Sequence, residues 1–265
     1  MTIHELKYSN TNTYLIEGDK GKLLFDTGWA GSFPAFCKEM GELGIPVQSI
    51  NNILISHFHP DHMGIAQEIA DLGSVIVAAD VQQGFLHHAD DIFEKEGNKG
   101  FKPVLDEKVR SLEIRDSRAF LQELGIQGEI LYTPGHSEDS ISLCLDDGSL
   151  FVGDLNPLYE LELHKGTQIE ESWNRLLSRQ PRKVYYGHAM KAEIGLERSA
   201  PIPSGDRFEL VSRIIKYIDK GMNLDKITKK TAADKTFVED VARMYLTHQN
   251  VGVQGILDRI EIKGR

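Results

Sequence analysis

The sequence predicts an α/β fold followed by a smaller helical region. Residues 53–78 have the order strand, polar loop, helix and strand, which is typical of α/β proteins. Several other short apolar segments between residues 12 and 186 end near Gly or Pro, as strands of a sheet often do. Beyond a linker at 200–205, apolar residues recur at helical spacing: Phe208, Val211, Ile214, Ile215 and Ile218. We therefore expect a main domain over residues 1–200 and a helical C-terminal appendage over residues 201–265.

Composition limits the class of protein. The 265 residues are 40% hydrophobic, which is enough for one large core. No run approaches the ~18 apolar residues of a membrane span, and the first residues lack the basic and then apolar order of a signal peptide. Two distant cysteines, Cys37 and Cys144, fit small core residues better than a disulfide. These features predict a soluble, cytoplasmic protein without a membrane partner.

Charge is distributed unevenly along the chain. The formal net charge of −10 argues against nonspecific wrapping of nucleic acid. Residues 201–265 nevertheless contain 12 Lys and Arg against 9 Asp and Glu, so the acidic excess lies in the first 200 residues. Clustered carboxylates there would suit a cation site. The mildly basic appendage stays open as a contact surface, with packing or dimerisation as its commonest use.

The chain begins with three extended segments, over residues 3–8, 12–17 and 22–25. Turn residues separate them, so they predict an antiparallel meander. Asp26 follows the third strand directly, where its carboxylate would serve a functional site or begin an Asx turn. A helix is expected over residues 33–43, with a serine as its N-cap and a proline in its first turn.

The strand and helix alternation continues through the middle of the chain. A helix over residues 64–72 precedes a strand over 74–78 and a further short helix. Residues 84–108 carry many charges around His87 and His88. We interpret them as a mobile surface segment or lid, with both histidines solvated rather than bound to a metal.

A second series of strands is expected after this segment: 109–114, 129–132, 140–145, 149–152 and 183–186. The turn Asp146-Asp147-Gly148 predicts that two of these strands form a hairpin. Helices are expected between the strands, over residues 119–124 and 170–178.

Residues 57–62, with the sequence His-Phe-His-Pro-Asp-His, concentrate metal-binding side chains at the exit of a strand. Neutral imidazole suits a borderline ion such as zinc, and a carboxylate can complete the coordination of a second ion. Alternation along an extended chain sends His57 and His59 to one side. The proline then bends the chain, so that Asp61 and His62 face a second ion. A lone histidine is usually solvated, but four such side chains in six residues predict a metal site.

Three later strands end in the same way, with a Gly or Pro before a metal-binding residue: His136, Asp154 and His188. One such residue would be incidental. Four strand ends, counting His57, are more simply explained by one edge of a sheet sandwich that gathers these side chains around a centre.

In these residues the chain resembles the metallo-β-lactamase superfamily of binuclear metal hydrolases, over about residues 2–190. The resemblance implies a four-layer αββα sandwich with the site at one edge. The helical end also resembles the winged-helix-like end of the β-lactamase-like protein 2 group. Two divalent metal ions are implied, with zinc expected and iron or manganese also suited to the ligands.

The resemblance also assigns a role to each candidate residue. His57, His59 and His136 would hold the first metal, Asp61, His62 and His188 the second, and Asp154 would bridge both. Asp26 would orient ligands through hydrogen bonds. Hydroxide bridging the metals would attack a small thioester, ester or lactone, with Asp61 or Asp154 passing a proton to the leaving group.

Departures from the family pattern concern the substrate. His62 after Asp61 favours the thioesterase, lactonase and RNA-processing branches over β-lactamases that have Arg there. Lactonases place a Tyr where this chain has Pro157, and Tyr159 is a substitute for substrate contact or simply a packed aromatic. Residues 137–139, Ser-Glu-Asp, predict extra negative charge at the rim of the site. We expect specificity to lie in residues 84–108, 155–168 and the appendage.

Two other functions stay open. An RNA-processing nuclease would use the same metals on phosphorus, with the appendage as a clamp and Lys229-Lys230 as its best basic pair. A non-catalytic regulator would keep the fold and the ligands without turnover. A small-molecule substrate is the favoured partner, nucleic acid is the less favoured one, and a homodimer fits as well.

Overall fold

Two compact units make up the chain, Met1–Ile194 and Gly195–Arg265. The computed structural model describes residues 1–158, 161, 164–194, 206–247, 253, 256 and 257. The predicted domain boundary at residue 200 falls outside these residues. None of the helices in the described ranges is long and apolar enough to cross a membrane.

The first sheet of unit 1 has six strands, which neighbour one another in chain order. They are β1 (Thr2–Leu6), β2 (Thr13–Glu17), β3 (Lys22–Phe25), β4 (Asn52–Leu54), β5 (Val75–Ala79) and β6 (Val109–Leu112). The first three form the predicted antiparallel meander, and the pairs from β3 to β6 are parallel. The assignment of residues 109–114 to the second strand series was wrong, because β6 pairs with β5 across a long connection.

The second sheet has five strands in the order β11-β10-β9-β8-β7. They are β7 (Gly128–Tyr132), β8 (Ile141–Leu145), β9 (Ser149–Phe151), β10 (Lys183–Tyr185) and β11 (Ala192–Glu193). The antiparallel β8 and β9 form the predicted hairpin, and Gly148 in its turn has a φ of 88°. Its left-handed conformation is the reason a glycine suits this position.

Six α-helices accompany the sheets among the described residues of unit 1. They are α1 (Phe33–Glu42), α2 (Pro60–Met63), α3 (Ala66–Ala70), α4 (Asp90–Glu96), α5 (Ser117–Glu123) and α6 (Gln168–Leu177). Several short 3-10 turns lie between them.

Side chains alternate between the two faces of each sheet and form three apolar cores. One core lies between the sheets, and one lies on the outer face of each sheet, under helices. The faces of the two sheets that look at each other bury Phe25 and Val77 against Leu143 and Phe151, among others. The outer face of the first sheet buries side chains under helices that include α1 and α3, and the outer face of the second packs under α6. Each fully buried Leu, Ile or Phe contributes roughly 1.5–3 kcal/mol relative to an exposed one. The order is helix, sheet, sheet, helix, as predicted.

The helix expected over residues 64–72 is shorter than predicted, and a separate short helix precedes it. It corresponds to α3 (Ala66–Ala70), and between α3 and the short α2 that contains Asp61 and His62 the helical path is broken at Gly64. A side chain there would collide with the backbone of Trp29 and Ala30. The Gly64 N–H donates to the Gly28 carbonyl at 2.8 Å, so the loop after β3 lies directly on the 57–62 loop. The hydroxyl of Ser32 also differs from its predicted N-cap role, because it donates to the Trp29 carbonyl at 2.6 Å.

The segment over residues 84–108 contains a helix, although its charge pattern gave no indication of regular structure. It contains α4, whose Phe93 is buried and contacts the Trp29 ring at 5.3 Å and the Phe101 ring at 4.1 Å between centroids. Aromatic packing of this kind anchors the helix to unit 1.

Unit 2 contains the predicted helices, α7 (Asp206–Asp219), α8 (Leu224–Thr231) and α9 (Lys235–Thr247). Their apolar faces meet in a core of their own, which includes Val211, Ile227 and Val241. The sequence also predicts a terminal helix over residues 251–257, of which residues 253, 256 and 257 are described, and a short extended end over 259–262. This extended end, on which a winged-helix arrangement depends, lies outside the described residues.

Candidate metal centre

The structure brings the seven predicted ligand side chains together at one edge of the two sheets. Each follows the end of a strand: the 57–62 loop follows β4, and the three later residues follow β7, β9 and β10. Their donor atoms form three overlapping groups, each within 4.8 Å: His57, His59 and His136; His57, His62 and Asp154; Asp61, His62 and His188. We call the first group the histidine half and the last the carboxylate half.

The histidine half consists of three imidazoles whose nitrogens converge. His59 Nδ1 lies 3.2 Å from His136 Nε2, and the His57 ring lies 4.4 Å and 4.7 Å from the rings of His59 and His136. The Nε2 atom of His57 is buried and has no hydrogen-bond partner among the described residues. A buried polar atom without a partner costs about 1–3 kcal/mol, and coordination to a cation would satisfy it. These residues therefore fit a metal ion.

The carboxylate half is held together by contacts between acids and imidazoles. His188 Nε2 lies 2.9 Å from Asp61 Oδ2, and His62 Nε2 lies 3.2 Å from Asp154 Oδ1. The other oxygen of Asp154, Oδ2, is 3.7 Å from His136 Nε2 in the histidine half. Asp154 thus faces both halves, as the position of a bridging ligand requires.

Two residues behind the centre orient the ligand rings. Asp26, with a φ of 62°, accepts the Ser56 N–H at 2.7 Å through Oδ1 and lies 2.9 Å from His62 Nδ1 through Oδ2. The Ser56 hydroxyl lies 2.9 Å from Asp26 Oδ2 and 3.0 Å from His57 Nδ1. Because the Nδ1 atoms of both rings are occupied outside the centre, their Nε2 atoms face it. The Asp26 carboxylate thus makes the contacts that a role in orienting ligands requires.

Asn12 fixes the loop that carries the last ligand, a role that the sequence analysis missed. Its amide nitrogen donates to the carbonyls of Tyr186 and Ala189, each at 3.0 Å. Between these carbonyls lies His188, whose Nδ1 is 3.0 Å from the Asn10 carbonyl. Asn12 lies at the start of a predicted strand, and no spacing or motif marks it, since its partners are far away in sequence.

Burial keeps the histidine half uncharged. It lowers the pKa of His57 well below the ordinary value, lowers that of His59, and lowers that of His136 to about 4. All three imidazoles are therefore neutral near pH 7, which is the form that binds a metal.

The carboxylate half has the opposite electrostatic character. Burial disfavours the charged form of His62, but the carboxylates of Asp154, Asp26 and Asp61 outweigh it and raise the pKa of His62 well above its ordinary value. Burial likewise opposes ionisation of Asp61 and Asp154, yet the neighbouring histidines lower the pKa of each carboxyl. The surrounding carboxylates thus favour the protonated form of the His62 imidazole.

The clustered side chains lie in a region that matches a known protein family. The model of the metallo-beta-lactamase superfamily matches residues 7–188, which include all seven clustered side chains. The chain belongs to the metallo-β-lactamase superfamily. The predicted resemblance is thereby confirmed.

Curated proteins with similar sequences carry different names. The beta-lactamase-like protein 2 homolog of Drosophila melanogaster is 27% identical over 186 residues, which cover 67% of this chain and 58% of that protein. An atrochrysone carboxyl ACP thioesterase of Claviceps purpurea is 26% identical over 153 residues, covering 56% and 40%. The matched region thus spans about half the length of these curated relatives.

Solved structures of the superfamily share the fold. The B3 metallo-β-lactamase BLEG-1 superposes with a TM-score of 0.58 and 22% identity, covering 77% of this chain and all of that one. TTHA1623 in a di-iron-bound form gives 0.55 at 24% identity, covering 75% and 98%. A metallo-β-lactamase family protein from Thermus thermophilus gives 0.52 at 18% identity, covering 99% and 92%. The predicted metallo-β-lactamase fold is confirmed.

Two other histidines that the sequence singles out, His87 and His88, lie outside the clustered side chains. The side chain of His87 is 50% exposed and lies between Asp90 Oδ2 and Asp106 Oδ1, each at 3.0 Å, while the His88 ring packs on Phe85. Neither histidine belongs to the three ligand groups. Tyr159, the candidate substrate contact, lies outside the described residues.

The predicted charge at the rim is only partly correct. Glu138 is exposed, but Asp139 is 2% exposed and accepts a backbone hydrogen bond. Its position in a polar tripeptide after a turn gave no indication of burial.

Proposed function

We propose that the chain is a binuclear metal-dependent hydrolase that cleaves a small thioester, ester or lactone. The observation that carries the proposal is the pair of ligand groups that face Asp154 from either side. His57, His59 and His136 would hold one ion, Asp61, His62 and His188 the other, with Asp154 shared. Zinc is the expected ion, since imidazole donors predominate.

Two such ions would supply a hydroxide at neutral pH and polarise the carbonyl group that it attacks. The protein's own contribution is to fix the ligands and to carry a proton. Neutral imidazoles on one side and carboxylates on the other provide donors without rearrangement of the buried loops.

Asp61 is our candidate for passing a proton to the leaving group. Its side chain is 20% exposed, compared with 5% for Asp154, so it is the more accessible of the two predicted proton carriers. Its contact with His188 at 2.9 Å sets the direction of the carboxylate. The more deeply buried Asp154 is better suited to remain a shared ligand.

The choice of a thioester or ester rests on two supports. His62 after Asp61 is the pattern of the thioesterase and lactonase branches, and several similar curated proteins are named thioesterases. A nuclease would share His62 as well, so the substrate needs an experiment.

A substrate panel tests the proposal. The purified chain, loaded with Zn²⁺, Mn²⁺ or Fe²⁺ in turn, is assayed with a short acyl-CoA, an S-lactoyl thioester, a lactone, a phosphodiester and single-stranded RNA. We expect the acyl substrates to be hydrolysed and the activity to disappear in Asp154→Ala. Cleavage of RNA without hydrolysis of any acyl substrate would replace the proposal by the nuclease function. Absence of turnover with two bound ions would favour a regulator.

A further inference from the structure

The Asp139 carboxylate joins the two loops that carry the histidine half. It lies three residues after His136, and its Oδ2 accepts the N–H of Phe58 at 2.7 Å. Phe58 stands between His57 and His59, so a single hydrogen bond ties the peptide between two candidate ligands to the loop of the third. A carboxylate that accepts a backbone N–H makes a short, charge-assisted bond, and here it does so almost without exposure to water.

This link matters because the two loops come from different sheets. The 57–62 loop leaves β4 of the first sheet, whereas His136 follows β7 of the second. The positions of the three imidazoles relative to one another therefore depend on how the sheets are joined at this edge. Metal affinity requires ligand distances to be correct within about 0.2 Å, so a direct link between the loops contributes to it.

Gln82 holds Asp139 in place from the other side. Its side chain is fully buried, and its Nε2 donates to the backbone carbonyls of Asp139 at 3.1 Å and Ile55 at 3.0 Å. Its Oε1 accepts the Ala79 N–H at 3.1 Å. The amide thus connects the end of β5, the exit of β4 and the Asp139 loop, and all its polar atoms are used.

We propose that Asp139 is a positioning residue that sets the geometry of the histidine half through the Phe58 N–H, with Gln82 as its support. The inference rests on the proposed metal centre and deepens it. The geometry of the histidine half should therefore depend on Asp139. The carboxylate half should not, because Asp26 and Asn10 orient its histidine rings.

Chelator competition with Zn²⁺ tests the inference on the full chain. Asp139→Ala should weaken the ion at the histidine half by about 10–100-fold, the usual range for partners of metal ligands, and leave the other ion unchanged. Asp139→Asn keeps an oxygen that can accept the Phe58 N–H and should retain most of the affinity. A general loss of stability would weaken both ions equally and would not be rescued by Asn.

Asp147→Ala is the matched control. Asp147 also accepts a backbone N–H, from Ser149 at 2.8 Å, but it lies in the hairpin at the far end of β8 and β9. Its replacement should leave both affinities unchanged. Asp139→Ser, whose side chain is too short to reach Phe58, serves if the Ala variant does not fold.

The wild-type protein offers an independent readout. Its Phe58 amide should exchange slowly with solvent, and Asp139→Ala should remove that protection while the His62 amide, which donates to the His59 carbonyl, keeps its own. Equal affinity of the histidine ion in wild type and the shortened variants, or a rapidly exchanging Phe58 amide in wild type, overturns the inference. Failure of wild type to bind two ions would instead overturn the proposed metal centre.

Discussion

The two halves of the centre use similar side chains in different electrostatic states. The histidine half combines three imidazoles that burial keeps neutral, and His57 Nε2 has no hydrogen-bond partner among the described residues. In the carboxylate half, the carboxylates of Asp154, Asp26 and Asp61 raise the pKa of His62 well above its ordinary value. A proton on His62 is therefore favoured there and offsets part of the negative charge, whereas burial favours neutral imidazoles in the histidine half. We therefore expect an ion to displace a proton when it binds to the carboxylate half and to displace none at the histidine half.

Removal of the shared carboxylate should have the largest effect. Asp154→Ala takes away the residue that faces both halves, so bound metal should fall below one ion per chain and hydrolysis of any accepted ester should drop by several orders of magnitude. Metal content by mass spectrometry and turnover measure this. Full activity with two ions would show that Asp154 is not the bridge.

Single-ligand variants should separate the halves. His57→Ala and Asp61→Ala should each reduce the metal content from two ions to about one, because each belongs to a different ligand group. Loss of both ions in either variant would mean that the halves bind cooperatively rather than as two sites. Metal analysis after dialysis, with folding checked by circular dichroism, provides the measurement.

Ser56→Ala should affect both halves moderately. The hydroxyl of Ser56 contacts Asp26 Oδ2 and His57 Nδ1. Its loss leaves His57 Nδ1 without this partner and leaves Asp26 Oδ2 with His62 Nδ1 as its remaining partner among the described residues. We expect metal affinity or activity to fall by about 10–100-fold. Exposed Ser178→Ala, which loses a hydrogen bond to a helix carbonyl and one from Arg179, should leave activity unchanged. A change confined to one half would show that Ser56 acts on His57 or on Asp26 alone.

The smallest expected effect is the dependence of metal affinity on pH. The pKa of His62 is raised, so an ion entering the carboxylate half displaces a proton, and affinity there should increase as the pH rises. The pKa of His136 is about 4, so this ring has already lost its proton and affinity at the histidine half should be flat between about pH 6 and 8. Titration calorimetry at pH 7 in buffers of different ionisation enthalpy should detect about one released proton for the carboxylate half. Equal proton release by both halves would contradict the comparison.

Local patterns predicted most of the scaffold. The meander, the Asp146-Asp147-Gly148 hairpin and the helices of unit 2 all follow from periodicity and turn residues within short windows. The position of β6 did not, because parallel pairing joins distant segments and leaves no mark in either strand. The break at Gly64 was equally hidden, since its cause is the backbone of Trp29 and Ala30 more than thirty residues earlier.

The same distinction between local patterns and contacts of distant segments holds for the candidate site. The side chains of the 57–62 loop, His136, Asp154 and His188 were identified because donor-rich residues follow strand ends. Ser56, Asn12 and Gln82 were missed because their importance comes from burial and from partners in other loops. Asp139 was misread as a rim charge for the same reason: a sequence shows the charge of a side chain but not which peptide it faces.

The contact between Asn12 and the loop that contains His188 also limits when the centre can form during protein synthesis. The Tyr186 carbonyl that Asn12 holds is synthesised 174 residues later, so a nascent chain cannot close the centre until nearly all of unit 1 has left the ribosome. Histidines of the 57–62 loop emerge far sooner and would meet cellular cations as loose, low-affinity ligands. Binding of the proposed ion pair would therefore be a late step of biogenesis, and a truncated translation product would contain the 57–62 loop without the residues that complete the centre.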